Sequence, residues 1–149
     1  MNLNERIQND IKNAMKEKDS FKLGVIRMVK GAMQLAKTNS KDELSDEQII
    51  DVISKQIKMR KDSINEFKKA GRTDLVEQNE KEIEILNEYM PEQLTNEEIE
   101  QIITEAFEKI NPTSPKQIGL IMREISPKVK GKADMGEINK IIKNKLENN

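Results

Sequence analysis

The segment Ser45–Gly71, SDEQIIDVISKQIKMRKDSINEFKKAG, decides how the rest of the chain must fold. It opens with an S-x-x-Q capping box, and its isoleucines then recur at helical spacing until Gly71, a residue that suits the end of a helix. At ~1.5 Å per residue such a helix is roughly 38 Å long. A helix of that length with one apolar stripe needs a partner along its whole length.

The next segment, Asp74–Met90, carries a matching apolar stripe, so we predict that the two helices form an antiparallel hairpin. Lysines share one face of the first helix, and glutamates share one face of the second. The predicted ion pairs are Lys68 with Glu77, Lys61 with Glu84, and Lys58 with Glu88. Alternatives are nucleic-acid binding by the lysine face and Mg²⁺ binding by the glutamate face, but pairing within the hairpin accounts for both faces.

Shorter amphipathic helices flank this hairpin on both sides. Two precede it, from about Leu3 to Lys18 and from Phe21 to about Lys37, and a polar loop at Thr38–Leu44 follows them. Met90-Pro91 ends the hairpin, because the residue before a proline disfavours helix. Three short helices then follow, and Ser126-Pro127 is predicted to end the second of them.

These segments predict an all-α protein. The N-terminal helical domain, with the long antiparallel hairpin, is assigned to residues 1–90, a linker to 91–94, and a small three-helix C-terminal domain to 95–149. Each of the last three helices is too short to be stable alone, so together they must enclose one small core.

Composition limits the chemistry that is available. The chain has no cysteine and no histidine, which excludes disulfides, thiol nucleophiles, imidazole bases and nearly all zinc or haem ligation. No P-loop, dinucleotide-binding or nucleophile-elbow motif occurs, so we expect no metal, no cofactor and no complete active site. The amino terminus reads as neither signal peptide nor membrane anchor, which predicts a cytoplasmic protein without membrane partners.

The net charge of -1 conceals an uneven distribution. Residues 74–108 contain twelve acids and one base, whereas residues 116–132 contain five bases and one acid. The basic connection Lys128–Lys132 leads to a helix start at Asp134, and Lys128, Lys130, Gly131 and Lys132 are the candidate phosphate-binding residues. The alternative is a solvated loop, because Asp134 occupies the helix cap and no aromatic side chain is present to stack on bases.

Two arginines lie within or beside apolar stripes. Arg27 and Arg60 would be costly to bury unless each met a carboxylate or the carbonyls of a helix end. We therefore predict buried structural ion pairs at these positions, and the alternative is a site for an anionic ligand.

Five segments, in this order and spacing, resemble the YqeY-like family, also called GatB/YqeY domain proteins, along nearly the whole chain. The segments are Val25–Lys30, Gln56–Ile64, Phe67–Arg72, Glu88–Leu94 and Lys130–Asp134. The part after Pro91 is also similar to the C-terminal tail of the B subunit of tRNA-dependent amidotransferases. Matching positions are Gly119, Lys130, Gly131, Lys132, Ala133, Asp134 and Asn139, while Ser126 stands where an apolar residue is usual.

The resemblance implies a tail that contacts the body of a tRNA, away from the reactive end. The resemblance does not imply a catalytic activity, because the catalytic domain of the B subunit and the amidase signature of its partner are both absent. We therefore expect a non-catalytic protein that binds tRNA or another RNA, or that associates with the amidotransferase. The alternatives are an amidotransferase-like activity on aminoacyl-tRNA, that is, a carbon-nitrogen ligase with glutamine as amido-N-donor, and an adaptor that binds a protein through its N-terminal helices.

Overall fold

The computed structural model describes residues 1–37 and 42–148, and these ranges are helical with no strand. The all-α prediction is therefore confirmed. The helices are α1 (Leu3–Glu17), α2 (Ser20–Ala36), α3 (Asp46–Lys69), α4 (Thr73–Asn87), α5 (Asn96–Ile110), α6 (Ile118–Val129) and α7 (Met135–Glu147), with a 3₁₀ turn at Pro115–Gln117.

The chain divides into two compact units, Met1–Met90 and Pro91–Asn149. None of the described helices has the length and apolar character to span a membrane. Part of the predicted loop at Thr38–Leu44, residues 38–41, lies outside the described residues.

In the N-terminal unit, α3 and α4 form the antiparallel hairpin. The predicted capping box starts α3: the Ser45 hydroxyl accepts from the Gln48 N–H at 3.2 Å, and the Gln48 side chain accepts from the Ser45 N–H at 2.9 Å. Gly71, at φ +71°, makes the reversal between the helices, a left-handed conformation that favours glycine. Local sequence signals thus define both ends of the long helix.

The predicted ion pairs across the hairpin are wrong. Within the described ranges no ion pair joins Lys58, Lys61 or Lys68 to the glutamates of α4, and these side chains are exposed. The pair that crosses the hairpin is Arg60 with Glu82, whose Nη2 and Oε1 atoms are 3.2 Å apart. Burying the apolar stripes sets the rotation of the two helices, and that rotation leaves the lysine and glutamate faces in water.

Arg60 lies where three helices meet. It is 7% exposed and Glu82 is 8% exposed, and Arg60 Nε also donates to Glu82 Oε1 at 3.2 Å. Arg60 Nη1 donates to the carbonyl of Gln56 at 3.1 Å and to its side-chain oxygen at 2.9 Å, and Nη2 lies 3.9 Å from the sulfur of Met28 on α2. The prediction of a buried ion pair is confirmed for Arg60 and wrong for Arg27, whose side chain is exposed.

One apolar core joins all four helices of this unit. Its fully buried members come from every helix, and they are Ile7, Ile26, Val29, Ile49, Ile53 and Leu86. The start of α1 is held against the start of α3, because the Leu3 N–H donates to Asp46 Oδ1 at 3.0 Å.

Tyr89, just after α4, links the end of the hairpin to α1 through a hydrogen bond. Its side chain is buried and its hydroxyl donates to Asp10 Oδ2 at 2.5 Å. The Arg6 guanidinium lies 4.7 Å from the centre of the ring and donates to the Glu88 carbonyl at 2.9 Å. Burial raises the pKa of Tyr89, and the hydrogen bond to Asp10 raises it further, because the phenolate would lose this bond and face a carboxylate.

We predict that ionisation of Tyr89 and loss of the fold occur together at alkaline pH. A folded-state pKa above the unfolded value stabilises the fold fully below ~pH 10, and this stabilisation is lost as the pH rises through the folded pKa. Tyr89 is the only tyrosine and there is no tryptophan, so tyrosinate absorbance reports this residue alone. The native titration should lie above that of the same chain in denaturant; coincident titrations would contradict the prediction.

The C-terminal unit has its own core, formed by α5, α6 and α7. The buried members are Ile103, Ala106, Ile121, Ile125, Val129, Ile138, Ile142 and Leu146. The predicted end of α6 at Ser126-Pro127 is wrong, because the helix continues through Pro127 to Val129. Pro127 has no N–H to donate to the carbonyl four positions before it, and the Ser126 hydroxyl donates to a different carbonyl, that of Met122, at 2.7 Å. Burial of Val129 favours the extra turn.

Candidate nucleic-acid interface

The structure divides the predicted basic connection into two parts. Lys128 belongs to the last turn of α6, whereas Lys130, Gly131 and Lys132 form the turn that leads to α7. All three lysine side chains are exposed. Between them, Val129 is fully buried in the core of the C-terminal unit. The lysines are thus held at the surface by an anchored backbone.

Two backbone donors of this turn are already used within the chain. The Lys130 N–H donates to the Ser126 carbonyl at 3.0 Å, and the Lys132 N–H donates to the Val129 carbonyl at 2.8 Å. Asp134 Oδ1 accepts from the N–H groups of Gly136 at 2.9 Å and Glu137 at 3.4 Å, so a carboxylate caps the start of α7. The exposed lysine side chains are the candidate phosphate contacts, and Gly131, at φ +74°, shapes the turn.

The segment before α5 holds this turn in place. Gln93 Nε2 donates to the Gly131 carbonyl at 3.0 Å, and the Leu94 N–H donates to the Lys132 carbonyl at 2.9 Å. Leu94 also packs against the core of this unit. Two of the family-like segments, Glu88–Leu94 and Lys130–Asp134, therefore meet through one side-chain and one backbone hydrogen bond. Residues 93–94 of the predicted linker are part of the C-terminal unit.

Glu124 pairs with one lysine of the neighbouring helix α5 and with one lysine of its own helix α6. Its Oε1 atom lies 3.0 Å from Lys109 Nζ and 3.7 Å from Lys128 Nζ. The hydrogen bond from Lys109 is the main cause of the lowered pKa of Glu124. Lys128 is consequently partly neutralised, whereas Lys132 has no ion pair in the part of the chain that the structure describes.

Sequence reasoning did not assign Lys116 and Arg123 to the candidate site. Both are exposed, and neither has an ion pair among the described residues. Lys116, Arg123 and Lys130 are seven positions apart in the sequence, and they lie in the 3₁₀ turn before α6, on α6 and at its C-cap, respectively. The sequence shows this spacing, but the predicted helix end at Pro127 separated Lys130 from Lys116 and Arg123. We call Lys116, Arg123, Lys130 and Lys132 the basic row.

Binding of Mg²⁺ by the glutamate face of α4 was an alternative prediction. Among residues 1–37 and 42–148, no three carboxylates come together in a way that could hold a metal ion. Glu80, Glu84 and Glu88 of α4 are exposed, and Glu88 pairs with Lys22 of α2 at 3.6 Å. These glutamates therefore face the solvent, and Glu88 alone among the three forms an ion pair in the described part of the chain.

The fold and this surface define a class: an all-α protein of two helical units, with a basic row on the second. Comparison with known proteins identifies the family within that class. Residues 4–146 match the family model described as Yqey-like protein, and the chain belongs to that family.

Relatives in fungi share much of the sequence. The chain is 32% identical over 130 residues to altered inheritance of mitochondria protein 41, mitochondrial, of Pyrenophora tritici-repentis, covering 86% of this chain and 71% of the relative. It is 32% identical over 135 residues to the protein of that name in Kluyveromyces lactis, covering 89% and 71%. With the Candida glabrata protein it shares 30% over 125 residues, covering 83% and 68%.

The names of these relatives correct one prediction. The expectation of a cytoplasmic protein is wrong: these comparisons contradict it, because the relatives are named as mitochondrial proteins. That expectation rested on the lack of a secretory signal or membrane anchor in the sequence. The lack of these two features is equally compatible with the interior of an organelle.

Proposed function

We propose that this protein is a non-catalytic protein that binds tRNA or another RNA, or that associates with a tRNA-dependent amidotransferase. The observation that carries the proposal is the basic row on the C-terminal unit. Its four side chains are exposed, and the turn that carries Lys130 and Lys132 is held by two hydrogen bonds from residues 93–94. The acidic Asp74–Glu108 segment would repel a polyanion, so charge steers an RNA to this surface.

The proposed contacts are with the phosphate backbone. Lysine supplies a point charge and arginine a planar set of donors, and both bind phosphate without reading the base sequence. The chain has no tryptophan and only 3% aromatic residues, which leaves little capacity for stacking on unpaired bases. We therefore expect recognition by shape and charge, as with the folded body of a tRNA.

Salt dependence tests this proposal directly. If four cations of the basic row contact phosphates, the logarithm of the affinity for bulk tRNA should fall against the logarithm of salt concentration with a slope of about -3 to -4. The measurement is fluorescence anisotropy of labelled tRNA titrated with the full chain. Affinity that hardly changes with salt would contradict the proposal.

A catalytic assay on the same preparation separates binding from chemistry. The purified chain is incubated with misacylated tRNA, glutamine and ATP, and amide formation is measured. We expect tRNA binding without amide formation. Amide formation by the chain alone would instead support a carbon-nitrogen ligase with glutamine as amido-N-donor.

A further inference from the structure

The peptide group between Gly131 and Lys132 is held by hydrogen bonds at both of its polar atoms. Its N–H, which belongs to Lys132, donates to the Val129 carbonyl at 2.8 Å. Its carbonyl, which belongs to Gly131, accepts from Gln93 Nε2 at 3.0 Å. A peptide group is planar, so the two bonds together fix its orientation. Because this group lies between Lys130 and Lys132, it sets the directions in which these two members of the basic row leave the backbone.

Gln93 is the side chain in this arrangement. Its Nε2 also donates to the Pro91 carbonyl at 2.9 Å, so each of the two hydrogens of the amide has an acceptor. The other bond from this segment to the turn, from Leu94 to the Lys132 carbonyl, uses a backbone N–H. Gln93 is exposed and carries no charge. It is therefore the position in this segment where a substitution removes a restraint on the turn without changing its charge.

The two ends of the turn are held independently of Gln93. Val129 is fully buried in the core of the C-terminal unit, and Asp134 caps α7 through the Gly136 N–H at 2.9 Å. Loss of the Gln93 bond would leave these ends in place and free the middle. The backbone between the two lysines would then have to be ordered when a ligand binds, and ordering of this kind lowers affinity.

We propose that Gln93 is a positioning residue for RNA binding: it orients the turn that carries Lys130 and Lys132 before the RNA arrives, and it does not contact the RNA itself. This role rests on the proposed RNA binding by the basic row. It also gives the contact between the segments before α5 and before α7 a purpose, because one supplies the cations and the other fixes their direction.

Gln93→Met tests the proposal, and Gln101→Met is the matched control. Gln101 is an exposed glutamine of the same unit, and its amide donates at 3.3 Å to Glu105 on its own helix. Affinity of the full chain for labelled tRNA is measured by fluorescence anisotropy over a series of salt concentrations. We expect Gln93→Met to bind about three- to tenfold more weakly at every salt concentration. The slope against salt should equal that of the wild type, because no cation is lost.

Hydrogen exchange of backbone amides, measured by NMR, follows the turn without RNA. In Gln93→Met the Lys132 amide should exchange at least about fivefold faster than in the wild type, because its peptide group has lost one restraint. The amide of Ile142, inside α7, should not change. Circular dichroism should show the same helix content in the wild type and both variants.

The outcomes separate this role from the proposed function. If the wild-type chain does not bind tRNA, the proposed function fails and the role of Gln93 fails with it. If the wild type binds and Gln93→Met binds equally well, RNA binding stands and the role of Gln93 is overturned. A shallower salt slope in Gln93→Met would also overturn it, because phosphate contacts would then have been lost. An equal loss of affinity in Gln101→Met would do the same.

Discussion

Arg60→Met is expected to lower the free energy of unfolding of the N-terminal unit by about 3–5 kcal/mol, a typical loss when one partner of a buried pair is removed. The variant leaves the Glu82 carboxylate in a site where it is 8% exposed. The Gln56 carbonyl and side-chain oxygen lose their donor as well. The measurement is chemical denaturation followed by helical circular dichroism.

Two further variants separate the buried charge from loss of packing. Adding Glu82→Met to Arg60→Met removes the unpaired carboxylate, and we expect most of the lost stability to return, because buried pairs replaced by apolar side chains are often neutral or stabilising. Arg72→Met removes an arginine whose 3.1 Å pair with Asp74 is on the surface, and we expect no measurable change. If the double variant is as unstable as Arg60→Met, the packing of Arg60 and not its charge stabilises the fold.

Lys130→Glu combined with Lys132→Glu is expected to reduce the affinity for bulk tRNA by at least about 100-fold at moderate salt. Each change removes one phosphate contact and adds a repulsive carboxylate. The slope against salt concentration should become shallower by about 2, about one for each lost contact. Both side chains are exposed, so the helical circular dichroism should not change.

The matched control for that variant is Lys140→Glu with Lys143→Glu. These two lysines are exposed on α7 of the same unit, so the net charge changes equally while the basic row remains intact. We expect a smaller loss of affinity and an unchanged slope. An equal loss in both variants would mean that overall charge, and not the basic row, governs binding.

Local signals in the sequence were sufficient for the helices. Capping residues such as Ser45 and Thr95 form their hydrogen bonds within one turn, and apolar spacing repeats within a single helix, so both can be recognised from neighbouring residues. The end of α6 was missed for a related reason. The helix-breaking effect of Pro127 is local, but burial of Val129 in the core opposes it, and burial depends on α5 and α7.

Part of the candidate site could be predicted from the sequence, and part depends on how the helices pack. The sequence identified Lys128, Lys130 and Lys132 by their charge, and Gly131 because a glycine lets backbone amides approach a phosphate. It did not show that Glu124 partly neutralises Lys128, or that Arg123 continues the basic row, because both depend on how α6 packs and where it ends. It also did not show the bonds from Gln93 and Leu94 to the turn, which link residues 38 positions apart.

The sequence by itself determined that this protein is all-α, where most of its helices begin and end, and which segment concentrates positive charge. Tertiary structure alone decided the pairing of Arg60 with Glu82, the exposure of the lysine face of α3, and the exposed side of α2. The physical reason is that helix formation and capping are short-range. The register between helices and the burial of a side chain depend instead on the simultaneous packing of several apolar faces.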